Sequence, residues 1–148
     1  MKFEKFLKST GAHGQIFERE NKDRWLICAG VGMKVPAGIV NLLGAGAVSE
    51  KTRKEVEDLI HADTDQKVEL KRAMIKDPQG KSGDIIRVFA DRDGEEIGIW
   101  NADFGLLEKR DVNLAKTSIM DDELDESEFM LILDQNDEVV GFIAGTEV

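Results

Sequence analysis

The residues whose chemistry could make a catalyst are few and scattered. Among 148 residues there is one cysteine, Cys28, and there are two histidines, His13 and His61. A nucleophile needs a base within hydrogen-bond reach, and a structural zinc site needs four nitrogen or sulfur ligands. Cys28 lies in the apolar run Trp25-Leu-Ile-Cys-Ala29, which predicts a small buried hydrophobe rather than a thiolate. His13, in Ala12-His13-Gly14, has no Cys, His or Asp beside it and reads as a loop residue. His61 falls in the last turn of a helix read over residues 50–62, where partial positive charge suits the helix dipole.

Carboxylates are abundant, 30 in all, so hard cations are the next chemistry to consider. A calcium-binding loop of the helix-loop-helix type needs oxygen ligands at its first, third and fifth positions, Gly at the sixth and Glu at the twelfth. Counting from Asp91, Gly already stands fourth; counting from Asp134, the sixth residue is Val139. Residues 121–128 hold six acids and predict a solvated loop that binds a cation loosely at best. Gly30-Val-Gly32 begins like a nucleotide fingerprint, but Val35 stands where the third glycine belongs and no Lys-Ser/Thr pair follows. No Gly-x-Ser-x-Gly elbow occurs. The expectation is a non-enzymatic protein without a cofactor or a dedicated metal.

Charge is polarised along the chain. Residues 1–80 carry 14 Lys and Arg against 12 Asp and Glu, and residues 81–148 carry 6 against 18, within a net charge of −10. Binding to nucleic-acid backbone needs clustered cations, so that class is disfavoured. An acidic half suits a basic partner, another copy's less acidic half, or mimicry of nucleic acid. At 41% hydrophobic and 34% charged residues, the composition is that of one soluble folded domain over residues 1–148. The charged start Met-Lys-Phe-Glu-Lys-Phe-Leu-Lys lacks the apolar core of an export signal, and the weakly polar residues 36–48 are too few to span a bilayer.

The elements that would position these groups are mostly strands. The clearest stretch is residues 84–101, where Asp93-Gly94 is a favoured pair for a two-residue primed turn. That turn pairs Ala90 with Ile97, Val88 with Ile99 and Ile86 with Asn101, giving a core face of Ile86, Val88, Ala90, Ile97 and Ile99. The opposite face would carry Ile85, Arg87 and Phe89, with Phe89 opposite Gly98 and Arg87 lying on the indole of Trp100. Arg87, Phe89 and Trp100 are therefore expected to form an interface, with Asp121, Asp122 and Glu123 as its acidic counterpart.

Elsewhere, Phe3, Phe6 and Leu7 predict a short amphipathic helix over residues 2–10 ended by Gly11. A first hairpin is expected from residues 15–20 and 24–30 around Asn21-Lys22-Asp23. Residues 36–43 suggest a helical turn or two, and residues 45–48 a small-residue loop. Ser49 caps the main helix, about residues 50–62, whose stripe is Val56, Leu59 and Ile60, with Glu50 and Lys54 as an i,i+4 pair. Residues 67–76 read as a strand with one wet face, with a helix as the alternative, residues 77–83 as a connector, residues 102–110 as a short irregular or helical piece burying Phe104, Leu106 and Leu107, and residues 112–120 as a strand. A last hairpin joins residues 129–133 to 139–143. The fold class is α+β, mostly antiparallel hairpins in a sandwich or partly open barrel, with one main helix and a short N-terminal one.

The opening Lys2-Phe-Glu-Lys-Phe-Leu-Lys-Ser-Thr-Gly-Ala-His-Gly14 resembles uncharacterised small proteins of tailed phages and prophages. So do Ile85-Ile-Arg-Val-Phe-Ala90, Glu95-Glu-Ile-Gly-Ile-Trp-Asn-Ala-Asp-Phe-Gly105, and the ending from Leu133-Asp to Glu138-Val-Val-Gly-Phe-Ile143. The resemblance implies a virion component, made in the host cytoplasm and bound to other virion proteins or to copies of itself, with no role at a membrane. The expected function is a head- or connector-associated structural protein. The alternative is a small acidic inhibitor that occupies a basic groove on a host nuclease or defence protein.

Overall fold

The computed structural model describes residues 1–39, 42, 44–75, 85–121 and 123–148. Helix α1 (Phe3–Thr10) buries Phe3 and Phe6, stops at Gly11 with φ +52°, and gives way to a single 3-10 turn (Gly11–His13). Strands β1 (Gln15–Glu18) and β2 (Arg24–Cys28) form the first hairpin as expected. The second strand ends early, because Ala29 and Gly30 both take positive φ and turn the chain into β3 (Val31–Lys34). Ala29-Gly30 is thus a two-residue primed turn, and Val31 and Gly32 open the strand that follows.

Residues 36–39 make a turn without a helix, and residues 40, 41 and 43 of the same expected segment lie outside the described ones. Strand β4 (Gly46–Ala47) runs parallel to β1 where the sequence predicts a loop. Helix α2 (Glu50–Ile60) starts as predicted: the Ser49 hydroxyl accepts from the Thr52 N–H at 3.2 Å, and Val56 and Leu59 are buried. Glu50, expected to pair with Lys54, reaches Arg53 at 3.7 Å, three residues on. His61 caps its C-terminus and lies 3.2 Å from Glu57.

Strands β5 (Glu69–Ile75), β6 (Ile85–Ala90) and β7 (Glu96–Trp100) form a three-stranded sheet, and the expected connector at residues 77–83 falls outside the described residues. A single-turn helix, α3 (Asn101–Phe104), follows, with Leu106 buried and Phe104 and Leu107 half-buried behind it. Strands β8 (Leu114–Met120), β9 (Glu126–Leu133) and β10 (Val139–Ala144) complete a seven-stranded sheet in the order β4-β1-β2-β3-β10-β9-β8. Its pairings are antiparallel except β1 with β4.

Both faces of the large sheet are covered. On one, Leu26, Met33, Met130 and Ile132 meet Phe89, Ile97 and Ile99 of the small sheet, together with Phe3 and Phe6 of α1. On the other, Trp25, Phe17, Leu131 and Phe142 meet Val56 and Leu59 of α2. The fold is α+β and sandwich-like. Its sheets are not closed into a barrel, but two single bridges tie them: Lys67 with Ala115, and Gly98 with Thr146.

The register of the β6–β7 hairpin differs from expectation by one residue. Asp91 N–H donates to the Glu95 carbonyl at 2.9 Å and Gly94, with φ +86°, donates to the Asp91 carbonyl at 3.1 Å, so the loop is three residues, Arg92-Asp93-Gly94. Phe89 then pairs with Ile97, Val88 with Gly98, Arg87 with Ile99 and Ile86 with Trp100. A one-residue slip exchanges faces. The five expected core residues are all buried, yet on two sides: Ile97 and Ile99 face the large sheet beside Phe89, whereas Ile86, Val88 and Ala90 share the opposite face with Gly98 and Trp100.

The longer loop is held by Asp91, whose Oδ1 accepts from the N–H groups of Asp93 and Glu95, both at 2.9 Å. Asp121 does the same for Glu123 and Asp125, and Asp134 for Asn136 and Glu138. In each case the fourth residue takes positive φ: Gly94, Leu124 and Asp137. The β1–β2 turn repeats the backbone pattern with Lys22 at that position, although Arg19 stands where the others have Asp. The acidic loop predicted over residues 121–128 is therefore shorter, since Glu126 and Glu128 belong to β9.

Gly32 shows how closely the layers are packed. A Cβ there would stand 2.3 Å from the ring of Phe142, which itself stacks on Trp25 and meets Phe129 edge-on. Gly32→Ala must push that ring out of a filled core. We expect a loss of about 1–3 kcal/mol, the range for overpacking, read as a lower denaturant midpoint; an unchanged midpoint would show that the ring moves freely.

Candidate functional site

Two features stand out: an acidic arm and a polar seam between the sheets. The arm is the far end of the β8–β9 hairpin. Those strands pair from Leu114 and Ile132 out to Met120 and Glu126. Strand β10 leaves β9 at Phe129, and the last bond on that side is Gly145 N–H to the Glu128 carbonyl at 2.8 Å. Beyond it the ribbon is two-stranded among the described residues. Ile119 still packs against the cluster under α2, but Met120 and Leu124 are 63% and 75% exposed. Asp121 and Glu123 stand in the turn at the tip, with Asp125 and Glu126 beside them; Asp122 lies outside the described residues. Leu124 occupies the left-handed position, φ +65°, which costs a side chain with a Cβ about 1–2 kcal/mol.

The expected cluster of Arg87, Phe89 and Trp100 does not form one surface. Phe89 is buried against Ile97 and tilted on Phe104 at 6.2 Å. Arg87 lies over the ring of Phe104, 4.8 Å from its centre, and its Nε donates to Asn101 at 2.9 Å. Trp100 is half-buried on the other face of the sheet, opposite Ile86. The register slip separates them. Only Asp121 and Glu123 of the expected interface residues share a described surface.

The seam is built by two consecutive residues. Gln66 Nε2 donates to Asp91 at 2.8 Å and to Glu95 at 2.9 Å, and the buried Lys116 reaches Glu95 at 3.1 Å. Lys67 Nζ reaches Asn113 and Asp137, each at 2.6 Å, while Asn113 donates to the Asp134 carbonyl and to Asp137. One dipeptide thus latches the β6–β7 turn on one side and the β9–β10 turn on the other. The Gln66 amide, with the backbone donors and Lys116 adding to it, holds the Asp91 carboxyl below its ordinary 3.8. The Lys67 ammonium, helped by Asn113, does the same to Asp137. Burial alone pushes Asp103 up, beside α3.

Clefts elsewhere carry less chemistry. His13, Cys28 and Glu55 line one of about 290 Å³ between α2 and the large sheet, but no hydrogen bond joins the histidine to the thiol among the described residues. Another, about 700 Å³, gathers Asp63, Asp65, Glu69, Asp91 and Asp93 along the seam. No group of three metal-ligating side chains comes together among the described residues, and none of their helices is long and apolar enough to cross a membrane. Sequence reasoning missed the seam, although one signal was available: Asp91 and Asp134 each open a five-residue turn, the motif that the seam grips.

Acid should loosen this seam. The folded state holds Asp91 and Asp137 deprotonated more firmly than an unfolded chain, so their contribution is complete well above pH 3.8 and is lost as pH falls through 3.8 toward the folded values. Asp91→Asn keeps an acceptor for the turn but removes one of the two protonations. Denaturant midpoints measured from neutral pH down to about pH 3 should fall less steeply in this variant than in the parent; parallel curves would remove Asp91 from the account.

The chain matches no protein-family model, no curated protein and no solved structure with which it was compared.

Proposed function

We propose that this is a non-enzymatic assembly protein, a phage-type structural component of the head or connector, which uses the β8–β9 arm to engage a basic surface on a neighbouring protein. The observation that carries this reading is the arm itself: a two-stranded ribbon ending in Asp121, Glu123 and Asp125, with Met120 and Leu124 exposed among them. A leucine held at a left-handed position carries backbone strain, and left in water it adds no burial to the fold in return. Contact with a partner would supply that burial. The surrounding acids would steer the encounter, and the apolar pair would supply the lasting contact.

An inhibitor that fills a basic groove on a host nuclease or defence protein would present the same acids. Mass spectrometry of purified particles separates the two readings. Tens of copies per particle are expected for a structural component; absence from particles overturns that role and leaves the inhibitor.

Neutralising the tip with Asp121→Asn, Glu123→Gln and Asp125→Asn should slow binding to particles assembled without the protein, on the order of tenfold at low salt. The effect should fade near 1 M salt, where the screening length shrinks to roughly 3 Å. Leu124→Gly, by contrast, should shorten the lifetime of the complex at all salt concentrations. Unchanged kinetics in both variants would rule the arm out as the contact.

A further inference from the structure

A cleft of about 480 Å³ opens between strand β5 and residues 107–112, which run alongside without pairing to it. Its floor is apolar: Phe89 and Leu114 are buried, and Phe104 and Leu107 are half-buried. Leu70 and Val112, at 47% and 76% exposure, stand at its mouth. The two sides part just after the Val68 N–H donates to the Leu114 carbonyl at 3.0 Å. Strand alternation points the Leu70 N–H the same way, and no carbonyl of residues 107–112 accepts it. The volume falls within the roughly 300–1,000 Å³ of small-ligand sites, which share this build of apolar walls with a few polar groups.

The charges at the rim decide what kind of molecule fits. Three acids stand there, and each is already matched within the chain: Glu69 lies 3.8 Å from Lys71, Glu108 lies 2.6 Å from Arg110, and Asp111 lies 2.7 Å from the Met1 ammonium. Lys109 lines the same cleft, and its ammonium has no ion pair or hydrogen bond among the described residues. Counted with their partners, the acids cancel and one positive charge is left over. The groups open to a ligand's head are therefore a cation and a backbone donor, both of which favour an anion, and its body must be hydrocarbon.

We propose that this cleft binds a small apolar carboxylate of the fatty-acid class, with its chain against Phe89, Phe104 and Leu107 and its carboxylate on Lys109. Leu70 and Val112 flank the chain at the mouth. The site lies apart from the β8–β9 arm and does not rest on the arm's role in assembly.

Amide NMR of the full chain, titrated with octanoate, 1-octanol and octylammonium, tests this. Octanoate should saturate, shift the amides of Leu70, Leu107 and Val112, and bind at least about tenfold more tightly than octylammonium. Hexanoate should bind more weakly, by up to about fourfold for each methylene lost. Lys109→Glu should weaken octanoate at least about tenfold and leave octanol unchanged, whereas Val112→Glu should weaken both. Both side chains are exposed, so the two variants should keep the denaturant midpoint of the parent. Octanoate that fails to saturate, that binds no better than octylammonium, or that is indifferent to Lys109→Glu overturns the proposal. So does a ligand-free chain that self-associates through these same residues, which would assign the cleft to a second copy. Neutralising the arm leaves octanoate binding unchanged, so failure here and failure of the arm as an assembly contact are read separately.

Discussion

The carboxylate of Asp91 fixes two things on which the fold depends. One oxygen accepts two backbone N–H groups of the turn that follows, and the other accepts from Gln66. The first interaction steadies a three-residue loop, and that loop length sets the register of β6 on β7 and decides which side chains face the large sheet. The second fastens that hairpin to the segment that reaches β8. Local turn chemistry and sheet-on-sheet docking therefore share one side chain.

The large sheet then explains where the rest of the core goes. A sheet buried on both faces needs apolar residues at successive positions, and the run from Trp25 to Ile27 supplies them: Leu26 faces the small sheet while Trp25 and Ile27 lie on the side of α2. Residues 130–133 behave alike, with Met130 and Ile132 on one side and Leu131 and Leu133 on the other. Glycine marks the points of nearest approach. Gly32 lies under Phe142, and Gly98 lies where Thr146 bridges to the small sheet and Ile86 leans in.

Much of this was legible in the sequence where the signal was local. The Ser49 cap, the α1 spacing and the Asn21-Lys22-Asp23 turn each lead to the element observed. The failures share a cause: a choice between near-equal local states settled by a longer-range contact or by one side-chain oxygen. Asp93-Gly94 suits a two-residue turn, but Gly94 equally suits the left-handed position of a three-residue loop, and the Asp91 carboxylate adds two hydrogen bonds to that form. Ala29 gives no warning that it will take positive φ, so β3 went unread; its pairing with both β2 and β10 outweighs the strain. Of the candidate site, the acidity at residues 121–128 was plain, but an arm was not, because the start of β9 at Glu126 depends on pairing with Met120 across the turn.

Open sheet edges must be dealt with somehow, since free N–H and C=O groups invite another strand. Here four edges are handled in three ways. Strand β7 is closed at Gly98 by Thr146, and β8 is partly closed at Ala115 by Lys67. Strand β4 is only two residues long and offers little to pair with. That leaves β5, the longest uncovered edge among the described residues, carrying two of the usual protections: the bulge and the cations Lys71 and Arg72. Arg72 is itself neutralised by two contacts with Glu96, and Lys71 lies 3.8 Å from Glu69. With its positive charge balanced within the same sheet, the edge repels an approaching strand less than its sequence suggests, and the bulge between Leu70 and Arg72 is left as its main protection.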